Sequence, residues 1–269
     1  MTESAKIYFS KKSDPRPFLE RVVEIFEPAL KSRVLLKPNL VSDEPYPTTT
    51  DPVLFRELIK LLKPLISLAA GDASAADLPN PHSALKGHGL AKTADDEGVP
   101  FYDFYLEKMI ERKSSQGDTL KFSALAEEYE CIISLPVLKA HIILLLTGAL
   151  KNQVGFLSRK DRIGAHFRGV PRLSRSVAGI NELVKPGLFI VDFRETLINS
   201  NEVRHGGRKA KGGMMFAGSD PVALDFFGFS LLREIEPKLM GKSPEEISYL
   251  DLAQRSGLGS AKFELIDLD

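Results

Sequence analysis

Cysteine is nearly absent: Cys131 is the only one in 269 residues. A lone thiol excludes an intrachain disulfide framework, a cysteine-rich zinc site and an iron–sulfur cluster ligated by this chain alone. It fits a reducing compartment. Net charge is absent too, because 36 basic residues face 36 acidic ones. No global field draws nucleic acid or a membrane, so any such attraction must be local. Long apolar runs are also lacking. The most apolar stretch, around Ile142 to Leu150, is far shorter than the ~20 residues a bilayer requires. The opening "MTESAKIYFSKKSD" has no long apolar core and is not expected to be a secretory signal. These absences predict a cytoplasmic protein without membrane contact. The chain also shows no phosphate-loop spacing, dinucleotide fingerprint, nucleophile elbow, Ser-His-Asp order or paired-carboxylate signature.

Apolar residues make up 43% of the chain, enough for a substantial core. Short apolar runs rich in β-formers alternate with helical patterns. Strands are expected at Ala5–Phe9, Arg33–Lys37, Leu65–Ala70, Cys131–Leu135, Leu188–Asp192, Gly213–Ala217 and Lys262–Ile266. Several are apolar without alternation, as strands covered on both faces should be. Helices are expected at Pro17–Lys31, Pro52–Lys63, Pro81–Asp96, Pro171–Leu183, Pro221–Glu234 and Pro244–Arg255. Proline suits the first helical turn. In "TTTDP" and "GSDP" an Asp precedes that proline as an N-cap. Asp103–Lys121 reads as a polar excursion, with a hairpin as one form. The expected fold is α/β, a Rossmann-like mixed or parallel sheet with helices on both faces. One domain over residues 1–269 is the default, with two lobes meeting near residue 130 as the alternative.

Open α/β sheets bind ligands outside the carboxyl ends of their strands. Polar residues gather at these ends: Lys37 and Asn39 in "KPNL", Asp72 in "GDAS", Lys139 and His141 in "PVLKAH", and Asp192. Lys139 and His141, two apart, share a face on an extended backbone. A lysine beside a histidine can bind an anion and relay a proton. A rim lysine and a histidine satisfied by a backbone carbonyl would give the same pattern. From Lys139 to Arg175 the basic residues include Lys151, Arg159, Lys160, Arg162, His166, Arg168 and Arg172, with Asp161 the only acid. Such a concentration draws a phosphate or carboxylate, unless it is a solvated face paired with acids elsewhere. "RHGGRKAKGG" reads as a basic glycine-rich loop whose N–H groups could hold an oxyanion. Asp72, Asp192, Asp220 and Asp225 could supply oxygen ligands to a divalent metal. Asp220 has a competing role as a helix cap.

The stretches "VLLKPNLV", "TTTDP", "GDAS", "IISLPVLKAH", "TGALKNQVGF", "PGLFIVD" and "GSDPVALD", in this order, resemble the family called domain of unknown function 362. The resemblance spans roughly residues 33 to 260. It groups Lys37, Asn39, Asp72, Lys139, His141, Lys151, Asn152, Asp192, Asp220 and Asp225 as one pattern. The resemblance and the strand-end positions together suggest roles. Lys37, Lys139 and Lys151 would hold the anion and Asn39 and Asn152 would orient it. Asp220 and Asp225 would add ligand contacts. His141, with Asp72 or Asp192, would be the acid–base group. Family members often carry a ferredoxin-like cluster domain, which this chain lacks. The resemblance therefore implies, as a second reading, a module working with a separate iron–sulfur protein. The family often has a histidine where this chain has Asp51, so no role for that histidine carries over. A third reading, nucleic-acid binding through the Lys139–Arg175 face, has no recognised motif behind it.

Overall fold

The computed structural model describes residues 4–269. Its twelve strands are β1 (Ala5–Ser10), β2 (Arg33–Pro38), β3 (Ser67–Asp72), β4 (Phe101–Asp103), β5 (Met109–Lys113), β6 (Thr119–Ser123), β7 (Cys131–Leu135), β8 (Lys139–His141), β9 (Leu145–Thr147), β10 (Leu188–Ile198), β11 (Arg208–Gly218) and β12 (Phe263–Asp267). Eight of them form one sheet in the order β12-β1-β11-β10-β7-β2-β3-β4. Only β11 runs against its neighbours; the remaining pairings are parallel. The α-helices are α1 (Pro15–Phe26), α2 (Pro52–Leu62), α3 (Pro81–Leu85), α4 (Gly89–Asp96), α5 (Leu125–Glu128), α6 (Ala149–Asn152), α7 (Arg159–Phe167), α8 (Gly169–Leu183), α9 (Pro221–Leu232) and α10 (Ser248–Arg255).

The pleat explains the apolar strands. On β2, Val34 and Leu36 pack with Phe18, Leu19, Leu54 and Leu58 of α1 and α2, whereas Leu35 points to the opposite core. On β10, Leu188 and Ile190 join the first core, and Phe189 and Val191 join the second with Val177 of α8 and Phe229 of α9. Both faces are covered, so neither parity of a strand can be polar. The expected α/β architecture with helices on both faces is what the structure has.

Local chemistry moved several boundaries. α1 starts earlier than its Pro17 expectation because Asp14 accepts from the Arg16 N–H at 3.1 Å and puts Pro15 in the first turn. The helix expected over 81–96 is broken at Gly87, whose φ of +95° lies in the left-handed region. Asp51 and Asp220 do cap α2 and α9, accepting from Val53 N at 2.9 Å and Ala223 N at 2.9 Å. The polar excursion is the β5–β6 hairpin. The basic glycine-rich stretch is not the loop expected. Past a left-handed Gly206 it becomes β11, whose residues 208–211 pair with β10. Alternate N–H groups there are committed to that ladder on an extended backbone, not converged as an oxyanion nest.

Strand order sets the position of the site. β2 and β7 are neighbours at the centre of the sheet. After β2 the chain goes outward to β3; after β7 it goes the other way, to β10. A crevice opens at the carboxyl ends where order reverses, which is the usual ligand position in open α/β sheets. Lys37 ends β2, and Lys139 and His141 follow β7.

Candidate anion site

Two contiguous cavities lie at this crevice. An outer one of about 680 Å³ is walled by α7, by residues 75–79 after β3 and by the turn at 201–205. An inner recess of about 60 Å³ reaches down to the strand ends. His141, Lys151, Arg162 and Asn201 line both.

The recess is floored by a buried ion pair. Lys37 Nζ donates to Asp72 Oδ1 at 2.7 Å, to the Pro38 carbonyl at 3.0 Å and, more weakly, to Asn152 Oδ1 at 3.4 Å. Asp72 also accepts from Leu40 N at 2.7 Å and Ala73 N at 2.8 Å. Burial pushes the Lys37 amine down and the Asp72 carboxyl up, so each stays charged because of the other. Gly155 lies against the pair; a β-carbon there would sit 2.7 Å from Lys37 Nζ. Asn152 donates to Ser134 Oγ at 2.9 Å and ties α6 to β7. Asn39 donates to the Thr48 carbonyl at 3.1 Å.

Above this floor stand amines with fewer partners. Lys139 is buried and donates to the Thr48 carbonyl. Desolvation lowers its amine to about 7, against the pull of Glu202 and Glu44. Lys151 has no hydrogen-bond or ion-pair partner among the described residues, although part of it faces the cavity. Desolvation, and then the charges of Arg162, Lys139 and Lys37, bring it to about 7. Arg162 donates to the carbonyls of Ala73 and Ser74 at 3.1 and 2.8 Å, while its buried Nε has no partner. Two carboxylates, Asp77 and Glu202, stand on the outer walls, and Arg204 engages both, at 3.0 and 2.5 Å. The cavity thus carries an excess of donors.

The two histidines here are opposite tautomers by geometry. His141 Nδ1 accepts from Ile143 N and Leu144 N, both at 3.0 Å. That ring must carry its proton on Nε2 and is a donor. Burial and the neighbouring Lys151 hold it neutral, well below the ordinary histidine value. His166 Nδ1 lies 2.7 Å from the Arg162 carbonyl, which can only accept. Its Nε2 is therefore the free lone pair, and burial lowers the ring to about 4. Of the expected acid–base role, the geometry of His141 offers the cavity a donor, Nε2–H, and the acceptor nitrogen there is that of His166.

Seven of the expected residues meet at the recess: Lys37, Asn39, Asp72, Lys139, His141, Lys151 and Asn152. Three do not. Asp192 is consumed by Arg194, 2.6 Å away, and by the Tyr46 hydroxyl at 3.0 Å. Asp220 caps α9 and accepts from Ser260 N at 2.8 Å. Asp225 accepts from Ala149 N and Leu150 N at 2.6 and 3.2 Å, holding the start of α6 from the far side. These three are brackets for the site's elements, and with Asp72 in its ion pair they do not converge as a metal-binding set. Among the described residues no three His, Cys, Asp or Glu side chains gather as ligands. The basic face expected over 139–175 also divides, since Arg172 and Arg175 both pair with Asp118. Arg159, Arg162 and His166 were not singled out from that run. They fall at i, i+3 and i+7 on one face of α7, a spacing that could have marked them. Asn201 and Glu202 left no signal.

The family model described as "Domain of unknown function (DUF362)" matches residues 34–230, well over half of the chain. The chain belongs to that family. The thylakoid-associated protein sll1697 of Synechocystis sp. is 25% identical over 239 residues, covering 87% of this chain and 70% of that protein. A crystal structure of a Thermotoga maritima structural-genomics target superposes with a TM-score of 0.50 at 12% identity, covering 90% of this chain and 58% of the other. The lactate racemase apoprotein of Thermoanaerobacterium thermosaccharolyticum gives a TM-score of 0.51 at 14% identity, covering 79% and 54%. This chain spans little more than half of each solved structure. At these identities the likeness is one of fold. No helix among the described residues is long and apolar enough to cross a membrane.

Proposed function

We propose that this chain of the domain of unknown function 362 family binds a small anion, a phosphate or carboxylate, in the crevice between β2 and β7. The observation that carries this reading is that Lys151 has no hydrogen-bond or ion-pair partner among the described residues where Arg162 and His141 Nε2–H also line the cavity. The carboxylates on the walls, Asp77 and Glu202, are both engaged by Arg204, so an anion is the partner that would complete these donors. The lysines gain charge as the anion enters, because its field offsets the desolvation that lowers them.

The same reading includes a proton-transfer role. His166 Nε2 is a lone pair and His141 Nε2 carries a proton, so one ring can take a proton from a bound molecule while the other donates a hydrogen bond. An anion in the cavity also raises the basicity of His166. The fold neighbour's name, lactate racemase, carries a small hydroxy carboxylate, which is the kind of molecule the donor set would take. The cytoplasmic placement is part of this proposal; the thylakoid association in the relative's name belongs to that protein, and cell fractionation tests it.

The test is isothermal titration with sulfate, inorganic phosphate and short carboxylates, on the parent and on Lys151→Met and His141→Gln. Binding in the parent that weakens about tenfold or more in Lys151→Met is expected, since one charge-assisted contact is worth roughly 1.5–3 kcal/mol. Lack of heat and of thermal shift with every anion ends the proposal.

A further inference from the structure

The outer cavity pairs its basic depth with an apolar mouth. Ile142, Ile143, Ile163 and Phe167 all line it, and all four are exposed, Phe167 to 92%. A phenylalanine left in water at the end of a helix gains nothing for the fold. Four large apolar side chains around one opening form a patch of the sort that marks a contact surface. Ile163 and Phe167 are one turn apart on α7, and Arg162 and His166, which immediately precede them, line the same cavity, so one helix brings both chemistries to it.

We infer that the ligand of this site is amphiphilic: an anionic head held at Lys151, Arg162 and His141, joined to an apolar chain or ring that lies on Ile142, Ile143, Ile163 and Phe167. This rests on the anion-binding reading and extends it to the class of molecule. Continuity decides the occupant. The apolar wall and the donors belong to a single cavity of about 680 Å³, far larger than a phosphate or a short carboxylate fills. A head group in the inner recess places the rest of its molecule in the outer cavity, which that wall lines.

The probe is a homologous series of monoalkyl phosphates, from methyl to octyl, below their micellar concentrations, with inorganic phosphate as the reference. Affinity should climb about fourfold per methylene while the chain is being buried, as the transfer of each CH₂ from water predicts. In Phe167→Ala the ratio of octyl to methyl affinity should fall at least about tenfold. In His141→Gln the whole series should weaken together with its ratios kept. Binding of inorganic phosphate with no dependence on chain length overturns the amphiphile and spares the anion site. Failure of every alkyl phosphate overturns the amphiphile, and failure of sulfate, inorganic phosphate and short carboxylates as well overturns both. Phe167-dependent capture by phosphatidylglycerol vesicles with a flat alkyl series assigns the apolar mouth to a lipid surface and overturns the inference.

Discussion

Raising the pH from about 7 to about 9 should strip this chain of most of its affinity for a small anion. Lys151 sits at about 7. Near pH 7 about half of its amine is charged; near pH 9 only about 1% is, from the tenfold change per pH unit. If the anion binds the ammonium form alone, affinity falls about fiftyfold through this residue. The sign follows from the direction of the shift: a lowered amine is charged below its pKa and loses the anion's partner as pH rises through it. Lys139, also at about 7, titrates alongside and steepens the loss toward two decades per unit. Sulfate is the suitable probe because its own charge is fixed in this range. Titration calorimetry in two buffers of different ionisation enthalpy should show proton uptake on binding near neutrality. Lys151→Arg, always charged, should flatten the profile to the part contributed by Lys139. Sulfate affinity that stays level from about pH 7 to 9, or a profile in Lys151→Arg as steep as the parent's, would refute the reasoning.

Other outcomes follow from the same contacts. Gly155→Ala should destabilise the fold by about 3 kcal/mol in urea, because its methyl meets Lys37 Nζ and the Asp72 carboxylate and nothing buried there can yield cheaply; a loss within about 0.5 kcal/mol contradicts this. Burial lifts the Asp225 carboxyl to about 7, above its unfolded value. Its ionisation therefore costs nothing below about pH 4 and about 1.4 kcal/mol more per unit up to about pH 7. Asp225→Asn should gain on the parent across that window, and parallel stability profiles would remove the argument. Nitrogen NMR should find the proton of His141 on Nε2 and that of His166 on Nδ1. The reverse assignment for His166 leaves the cavity without a base.

The sheet was legible because parallel strands buried on both faces leave unbroken apolar runs, as at Val34–Leu36 and Cys131–Ile133. The outer halves of β10 and β11 were not, because Arg194, Glu195, Lys209 and Lys211 carry them beyond that cover. The recess was legible from strand ends, since Lys37, Asp72 and Lys139 follow apolar runs directly. Asp192 and Asp225 carry the same local signature, yet each bonds to a distant element, Arg194 with Tyr46 in one case and the start of α6 in the other. No spacing within one segment distinguishes a carboxylate that faces a ligand from one that faces a backbone N–H. The histidines were separable only in three dimensions, because the tautomer of each is set by its Nδ1 partner.

The solitary amine of Lys151 has a consequence for the chemistry of the chain as a whole. At neutral pH an ordinary surface lysine is free amine in about one molecule in two thousand, whereas an amine at about 7 is free in about half. Nucleophilicity resides in that free form. Lower basicity also lowers intrinsic nucleophilicity and offsets most of that gain. Among the many lysines of this chain, a mild acylating reagent at neutral pH should thus favour one that opens onto a cavity by roughly tens of fold. A bound anion would raise the pKa of that amine, so that it takes up a proton from water and falls silent, and the extent of acylation at Lys151 becomes a readout of occupancy that requires no knowledge of the ligand.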